Sequence, residues 1–155
     1  EQEANKGKDK NARVVCARFG VVLGKGGGTM EKMVPAFRYF VGGSQGNGRQ
    51  WFPWIHMEDL CLAADFVINN KAMSGPVNFC SPHPVRNKDL AKTLGHILKR
   101  PSMMHLPAFV LRLVLGELGS TLLYSQRCVP RKLMSSGYLF QFSAIGSAIE
   151  NLISE

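Results

Sequence analysis

The sequence predicts an α/β fold: part of a mostly parallel sheet covered on both faces, followed by a mostly helical cap. Three observations carry this. After a polar, charged opening, VVCARFGVVLG (14–24) is a nearly continuous apolar run that ends in glycine, as in strands buried on both faces. Strand-like and helix-like segments then alternate to about residue 100. Beyond that, the remaining segments carry helical spacing.

Residues 1–12 read as a polar lead-in ending a truncated helix, 13–100 as the C-terminal part of the α/β domain, and 101–155 as a helical C-terminal domain. The run Val14 to Leu23 is expected to be a strand. Eight of the sixteen glycines fall between Gly24 and Gly48. Among them Met30, Met33, Val34 and Phe37 recur at helical spacing. Pro35 places the regular part of that helix from about Met33, because proline suits a first turn. Gly42 to Gly48 reads as a flexible loop and WFPWI (51–55) as a short strand or turn. HMEDLCLAADFVINN reads as a helix with Met57, Leu60, Cys61, Ala64, Val67 and Ile68 in one stripe, and Glu58 and Asp59 at the positive end of its dipole. SGPVNFCSP gives turn, strand and turn. Asn87 is placed to cap the helix of KDLAKTLGHILKR, with Leu90, Leu94, Ile97 and Leu98 inward. Pro107 opens a further apolar helix, and the last two helical pieces flank a turn at Gly137.

At 155 residues, with 45% hydrophobic content, the chain suits one folded domain and not a disordered one. The longest apolar run, Leu106 to Leu115, is interrupted by Arg112 and falls short of the roughly 18 residues that span a bilayer. Cys16, Cys61, Cys80 and Cys128 are scattered without a CxxC pair. This reads as free thiols in a reducing, intracellular compartment, cytoplasmic or an organellar matrix. The net charge of +8 would draw phosphates, on a nucleotide or on nucleic acid. The charges alternate with core positions, however, and form no basic stripe, so nucleic acid is not the expected partner.

The motifs are informative chiefly by what they exclude. GKGGG (24–28) fails the GxGxxG spacing because Thr29 stands at the third glycine position, and it fails the P-loop spacing as well. It reads as a turn between strand and helix. His56, His83, His96 and His105 form no metal pattern; His56 sits at a strand-to-helix junction, where its ring would cap. No nucleophile elbow and no YxxxK pair appear, so no catalytic residue is expected in this chain. Arg49, Trp51, Phe52 and Trp54 form the densest aromatic-basic cluster, able to stack on a ring. Arg127, Arg131 and Lys132 around Pro130 could hold phosphate or form a solvated helix end.

RFGVVLGKGGG, NGRQWFPWIHMEDL and SGPVNFCSPHPVRNKDLAKTLG together resemble the C-terminal half of extended or atypical short-chain dehydrogenases/reductases. The match is to their nucleoside-diphosphate-sugar-epimerase-like branch, some members of which carry a cell-division-inhibitor label. PAFVLRLVLGELGSTLLYSQRCVPRKLMSSGYLFQF resembles that branch's small C-terminal domain of unknown function. The resemblance runs from about Arg13 to Leu152. It implies a partial Rossmann-type sheet, NAD or NADP as cofactor, and a small-molecule substrate. It also implies that the glycine-rich cofactor loop and the tyrosine–lysine pair belong to an N-terminal Rossmann half that is absent here. The chain alone would then be inactive and bind neither cofactor tightly.

By the same resemblance Phe19, Gly20 and Val21 face the nicotinamide, and Arg49, Trp51 and Trp54 line the substrate cleft. His56 and Asp59, in IHMED, match structural positions. Val21 stands where a sugar-nucleotide epimerase often has an asparagine, and Phe52 where it often has an arginine. Both departures imply a smaller or less charged substrate than a nucleotide sugar. Two other readings compete: a non-catalytic interaction module acting through the helix after Pro107, and a basic binder of anionic partners.

Overall fold

The computed structural model describes residues 1–6, 12–106 and 125–154. In chain order the elements are α1 (Gln2–Asn5), β1 (Val15–Phe19), β2 (Val21–Leu23), α2 (Gly28–Arg38), β3 (Gly43–Gln45), β4 (Trp51–Phe52), β5 (Trp54–His56), α3 (Met57–Asn69), β6 (Gly75–Phe79), β7 (Val85–Arg86), α4 (Asn87–Leu98), β8 (Met104–Leu106), α5 (Arg131–Ser135) and α6 (Ile145–Ile153). β1 pairs with β6, β2 with β5 and β3 with β8, all parallel, while β4 and β7 are antiparallel. The fold is therefore α/β, as the alternation predicts. The helix expected after Pro107 lies outside the described residues.

Two apolar clusters sandwich the central strands. Leu23, Phe52 and Trp54 join Met30, Met33 and Phe37 of α2, Leu90 and Leu94 of α4, and Ala148 and Ile149 of α6. Ile55, Val77 and Phe79 join Ala63 and Val67 of α3, Met73, Leu133 and Tyr138. Trp54 and Ile55 are adjacent yet fall in opposite clusters, as strand alternation requires. In β2, Val21 and Leu23 go to the first cluster and Val22 to the second. That two-sided burial is why the sequence run is continuously apolar.

The expected single strand from Val14 to Leu23 is instead two strands, broken at Gly20. The Gly20 N–H still donates to the Phe79 carbonyl at 2.9 Å, whereas the Val21 N–H donates to the Pro53 carbonyl at 2.7 Å. The chain changes partners here, from β6 to β5. A Cβ on Gly20 would lie 3.0 Å from the Pro53 carbonyl oxygen, so the crossing needs a residue without a side chain.

Other expectations are corrected. α2 starts at Gly28, not near Met33, and carries Pro35 inside it. Burial of Met30, Met33 and Phe37 holds the helix through the proline, and the Tyr39 N–H closes back on the Pro35 carbonyl at 2.9 Å. The loop 42–48 contains β3. The inward stripe of α3 is Asp59, Ala63 and Val67, with Leu60 and Ala64 partly buried; Met57, Cys61 and Ile68 are exposed. Asn87 does not cap α4: it is the first helical residue, is buried, and accepts the Gln45 N–H at 2.7 Å. His56 does cap α3, its Nδ1 accepting the Glu58 N–H at 3.2 Å. Arg13 closes the other end of α3, donating to the carbonyls of Val67, Ile68, Asn70 and Met73 at 2.9–3.2 Å, where a cation also suits the dipole.

Asp59 is fully buried in the first turn of α3. Its Oδ1 accepts the Gln141 N–H at 2.9 Å and its Oδ2 the Phe142 N–H at 2.8 Å. The Tyr138 hydroxyl lies 3.0 Å from the Asp59 carbonyl and 3.2 Å from Oδ1, and donates into that pair. Phe142 in turn stacks on His56, with centroids 3.9 Å apart. One carboxylate thus fastens residues 138–142 to α3. Burial first, then the Asp59 charge and hydrogen bond, push the Tyr138 phenol up from its ordinary value of 10.0.

Four outcomes follow for stability. Gly20→Ala costs about 1–3 kcal/mol through crowding at Pro53. Gly146→Ala, with open space around its Cβ inside α6, is neutral or gains about 0.5–1 kcal/mol; urea denaturation of both reads the opposite signs. Asp59→Asn costs about 3–5 kcal/mol, because backbone donors lose a buried anionic acceptor. A raised phenol holds its proton in the folded state after the unfolded chain has released it. Stability is therefore full below pH 10 and falls above it. Tyr138→Phe is less stable at neutral pH but shows a shallower decline between pH 10 and 11.5 than the parent chain.

Candidate functional site

β1 ends at Phe19, a residue 63% exposed. Beside that end opens a cleft of about 500 Å³. It is lined by Phe19, Gly20 and Pro53, by Asn78 of β6, and by residues of a strap, 125–132, that runs into α5. Ligands in open α/β sheets bind beyond the C-terminal ends of parallel strands, and Phe19 and Gly20 stand at such an end. Phe19 packs on Phe79 with ring centroids 5.4 Å apart, which fixes the aromatic face at the cleft mouth.

The strap is held by specific contacts. The Asn78 side-chain amide donates to the Val129 carbonyl at 3.3 Å. Lys132 donates to the carbonyls of Ser74 at 2.6 Å and Pro76 at 3.1 Å. The Trp51 N–H donates to the Ser125 hydroxyl at 3.1 Å. Trp51 also receives two guanidinium groups on its ring, Arg86 at 3.8 Å and Arg127 at 5.2 Å from the centroid. Arg86 donates in addition to the Arg49 carbonyl.

The charge in the cleft is less than its four cations suggest. Arg18 is bound by Glu1 at 2.7 and 2.8 Å, and Lys132 is committed to its two carbonyls. Arg127 and Arg131 have no carboxylate partner among the described residues. They are the cations left to meet an anionic or carbonyl group.

Of the residues singled out from sequence, Phe19 and Gly20 line the cleft. Val21 does not; it packs against the first core cluster. Trp54 is fully buried in that core and its indole donates to the His83 carbonyl at 3.3 Å, so it cannot line a cleft in this structure. Arg49 is exposed and Trp51 half-buried; neither is on the cleft lining, although Arg127 links Trp51 to it. Sequence reasoning did not place Asn78, Pro53 or Cys128 at the site. Arg127 and Arg131 were visible as a basic trio with Lys132, but nothing local distinguished a cleft wall from a solvated helix end. His56 is a core residue, 2% exposed, with Nε2 unpaired among the described residues. Among those residues there is no group of His, Cys, Asp and Glu able to hold a metal ion, and no helix is long and apolar enough to cross a membrane.

Comparison with known proteins gives the same answer from several directions. Residues 106–152 match a domain of unknown function, DUF1731. An epimerase family protein of Staphylococcus aureus (strain MRSA252) is 36% identical over 155 residues, covering 100% of this chain and 52% of its own length. A Staphylococcus epidermidis epimerase family protein is 38% identical over 153 residues, 99% of this chain and 51% of its own length. The chain therefore spans about half the length of the curated relatives it matches. The crystal structure of the human epimerase family protein SDR39U1 (isoform 2) with NADPH superposes with a TM-score of 0.85 at 35% identity, covering 91% of this chain and 48% of that one. The nucleoside-diphosphate sugar epimerase of Corynebacterium glutamicum gives 0.72 at 30% identity, covering 94% and 27%. A Thermus thermophilus UDP-glucose 4-epimerase complex with NAD gives 0.65 at 13% identity, covering 95% and 48%, a likeness of fold. The chain is similar to the C-terminal part of epimerase family proteins, and its residues 106–152 match the domain of unknown function.

Proposed function

We propose that this chain is the substrate-side portion of an NAD(P)-dependent epimerase- or dehydratase-like oxidoreductase, completed by an N-terminal Rossmann half. The observation that carries the reading is the position of the cleft at the C-terminal end of β1, lined by an exposed aromatic residue, a bare glycine and two guanidinium groups without a carboxylate partner among the described residues. Phe19 and Gly20 suit a flat ring: the first offers a face, the second close backbone approach. They fit the nicotinamide end of a dinucleotide and not its pyrophosphate, for which the turn 24–28 lacks the spacing. When bound, the nicotinamide would accept or return a hydride.

The chain's own residues would bind, orient and exclude water. Arg127, leaning on Trp51, would meet a carbonyl or acidic group of the substrate, and Arg49 would lie outside that contact. Val21 and Phe52, both turned into the core, leave no polar group at the places where a diphosphate is often held. The substrate is therefore a smaller or less charged molecule than a nucleotide sugar. Acid–base chemistry falls to the tyrosine–lysine pair of the other half, since this chain has none.

In the longer protein, Phe19→Asp weakens NADPH or NADH binding by tenfold or more, because a carboxylate replaces the ring face. Arg127→Ala leaves cofactor affinity within about twofold and lowers substrate kcat/KM roughly ten- to a hundredfold, the size of a lost charge-assisted hydrogen bond. The 155-residue chain alone binds neither cofactor in the low-micromolar range by titration calorimetry. Tight binding by the chain alone, or cofactor affinity indifferent to Phe19→Asp, overturns the assignment.

A further inference from the structure

Two of the four cysteines, Cys128 on the cleft lining and Cys80 at the end of β6, are left unused by the assigned chemistry. Cys80 follows the last residue of β6 and is fully buried. Cys128 is half-buried, lies on the strap and lines the cleft. The two are brought together by backbone architecture: Asn78, two residues before Cys80, donates its amide to the carbonyl of Val129, the residue after Cys128. Lys132 reaches the Ser74 and Pro76 carbonyls while Asn78 reaches Val129, so the strap runs back along β6 and carries Cys128 level with its C-terminal end, where Cys80 sits; all four cysteines are free.

We propose that Cys80 and Cys128 are a redox-active dithiol that closes to a disulfide by exchange with a small-molecule disulfide. The register rules out a Cys16–Cys80 bond. Cys16 pairs with Pro76, four residues before Cys80. At ~3.3 Å per residue that is roughly 13 Å along the strand, beyond the ~7 Å limit on Cα separation for a disulfide. Cys61 sits exposed on α3, and nothing brings it near the strap.

The order of steps follows from access. Cys128 is the thiol that solvent reaches, so its sulfur attacks the small disulfide RSSR. A Cys128–S–S–R bond forms, and one RSH leaves. Burial, with the adjoining Cys128 side chain, pushes the Cys80 thiol above its ordinary range, so it starts no exchange itself. Once the mixed disulfide stands beside it, the Cys80 sulfur gives up its proton and attacks the Cys128 sulfur, releasing the second RSH. Two protein thiols are oxidised and one RSSR is reduced to two RSH. The product bond ties the strap to the end of β6, fixing the wall from which Arg127 reaches Trp51. The pair rests on β6 and the strap alone, and does not depend on which ligand the cleft takes.

The test is equilibration of the reduced chain with oxidised glutathione, followed by thiol counting and peptide mapping. The titratable thiols fall from four to two, the mapped bond joins Cys80 to Cys128, Cys16 and Cys61 stay labelled, and dithiothreitol restores all four. Cys128→Ser, at a half-exposed position that the fold tolerates, forms no intramolecular bond and keeps its three thiols; Cys16→Ser still forms the bond. Cys80→Ala tests the buried partner, and there Cys128 stops at the glutathione adduct. A lasting glutathione adduct on Cys128 with Cys80 free in the parent chain overturns the proposal. So does a bond that includes Cys16 or Cys61, or four thiols still titratable.

Discussion

The structure depends on one buried carboxylate. Asp59 lies in the first turn of α3 with no exposure, and a bare carboxylate there would be costly to bury. It is tolerated because it receives two backbone N–H groups and a phenol from residues 138–142 and sits at the positive end of the α3 dipole. Hydrogen bonds to a charged group contribute about 1.5–3 kcal/mol each. The arrangement joins segments about eighty residues apart in sequence. Phe142, placed by its bond to Oδ2, covers the His56 ring, and His56 in turn caps α3. The C-terminal segment is thereby folded back onto the sheet, and α6 can complete the core shared with α2 and α4. The strap 125–132, which runs into α5 ahead of Tyr138, inherits its position from the same anchor.

The cleft follows from two departures from regularity. A continuous strand from Val14 to Leu23 would keep one neighbour throughout. The break at Gly20 hands the chain from β6 to β5, leaving Phe19 at a strand end with its ring outward and the Pro53 carbonyl over a residue with no side chain. On the other side, Asn78 and Lys132 spend their donors on backbone carbonyls and hold the strap along β6. Neither half of the cleft would exist if the local backbone were ideal; strand ends and irregular backbone are where binding sites concentrate.

Elements with a strong local period were legible in the sequence, and those decided by long-range partners were not. The leucines of α4 and the methionines of α2 name their helices, and two-sided burial of β2 and β5 is written in their unbroken apolarity. The break at Gly20 was hidden inside that apolarity, because a glycine in a strand reads the same whether or not a carbonyl from residue 53 presses on it. The stripe of α3 was misread for a related reason. Hydrophobicity points to Met57, Cys61 and Ile68, but the inward position is occupied by a carboxylate whose partners lie in residues 138–142. Asn87 looked like a cap from its neighbours on the helix; Gln45, 42 residues away, claimed its side chain. Cleft residues such as Asn78 and Cys128 carry no motif at all, since a long-range hydrogen bond from Asn78 to the Val129 carbonyl brings their segments together.

The +8 charge looks different once its partners are assigned. Arg13 is absorbed by four carbonyls at the end of α3, Arg18 by Glu1, Lys25 by the Ser154 carbonyl at 2.9 Å, and Lys132 by Ser74 and Pro76. Arg86 is divided between the Trp51 ring and the Arg49 carbonyl. These five of the nineteen basic residues are structural, closing helix ends and tying loops, work that a guanidinium or ammonium with several donors does well. A surface evolved to track a phosphate backbone keeps its cations in a row and free. Here Arg127 and Arg131, which have no carboxylate partner among the described residues, share the lining of one concave cleft with the exposed Phe19, an arrangement unlike the row of cations that tracks a phosphate backbone.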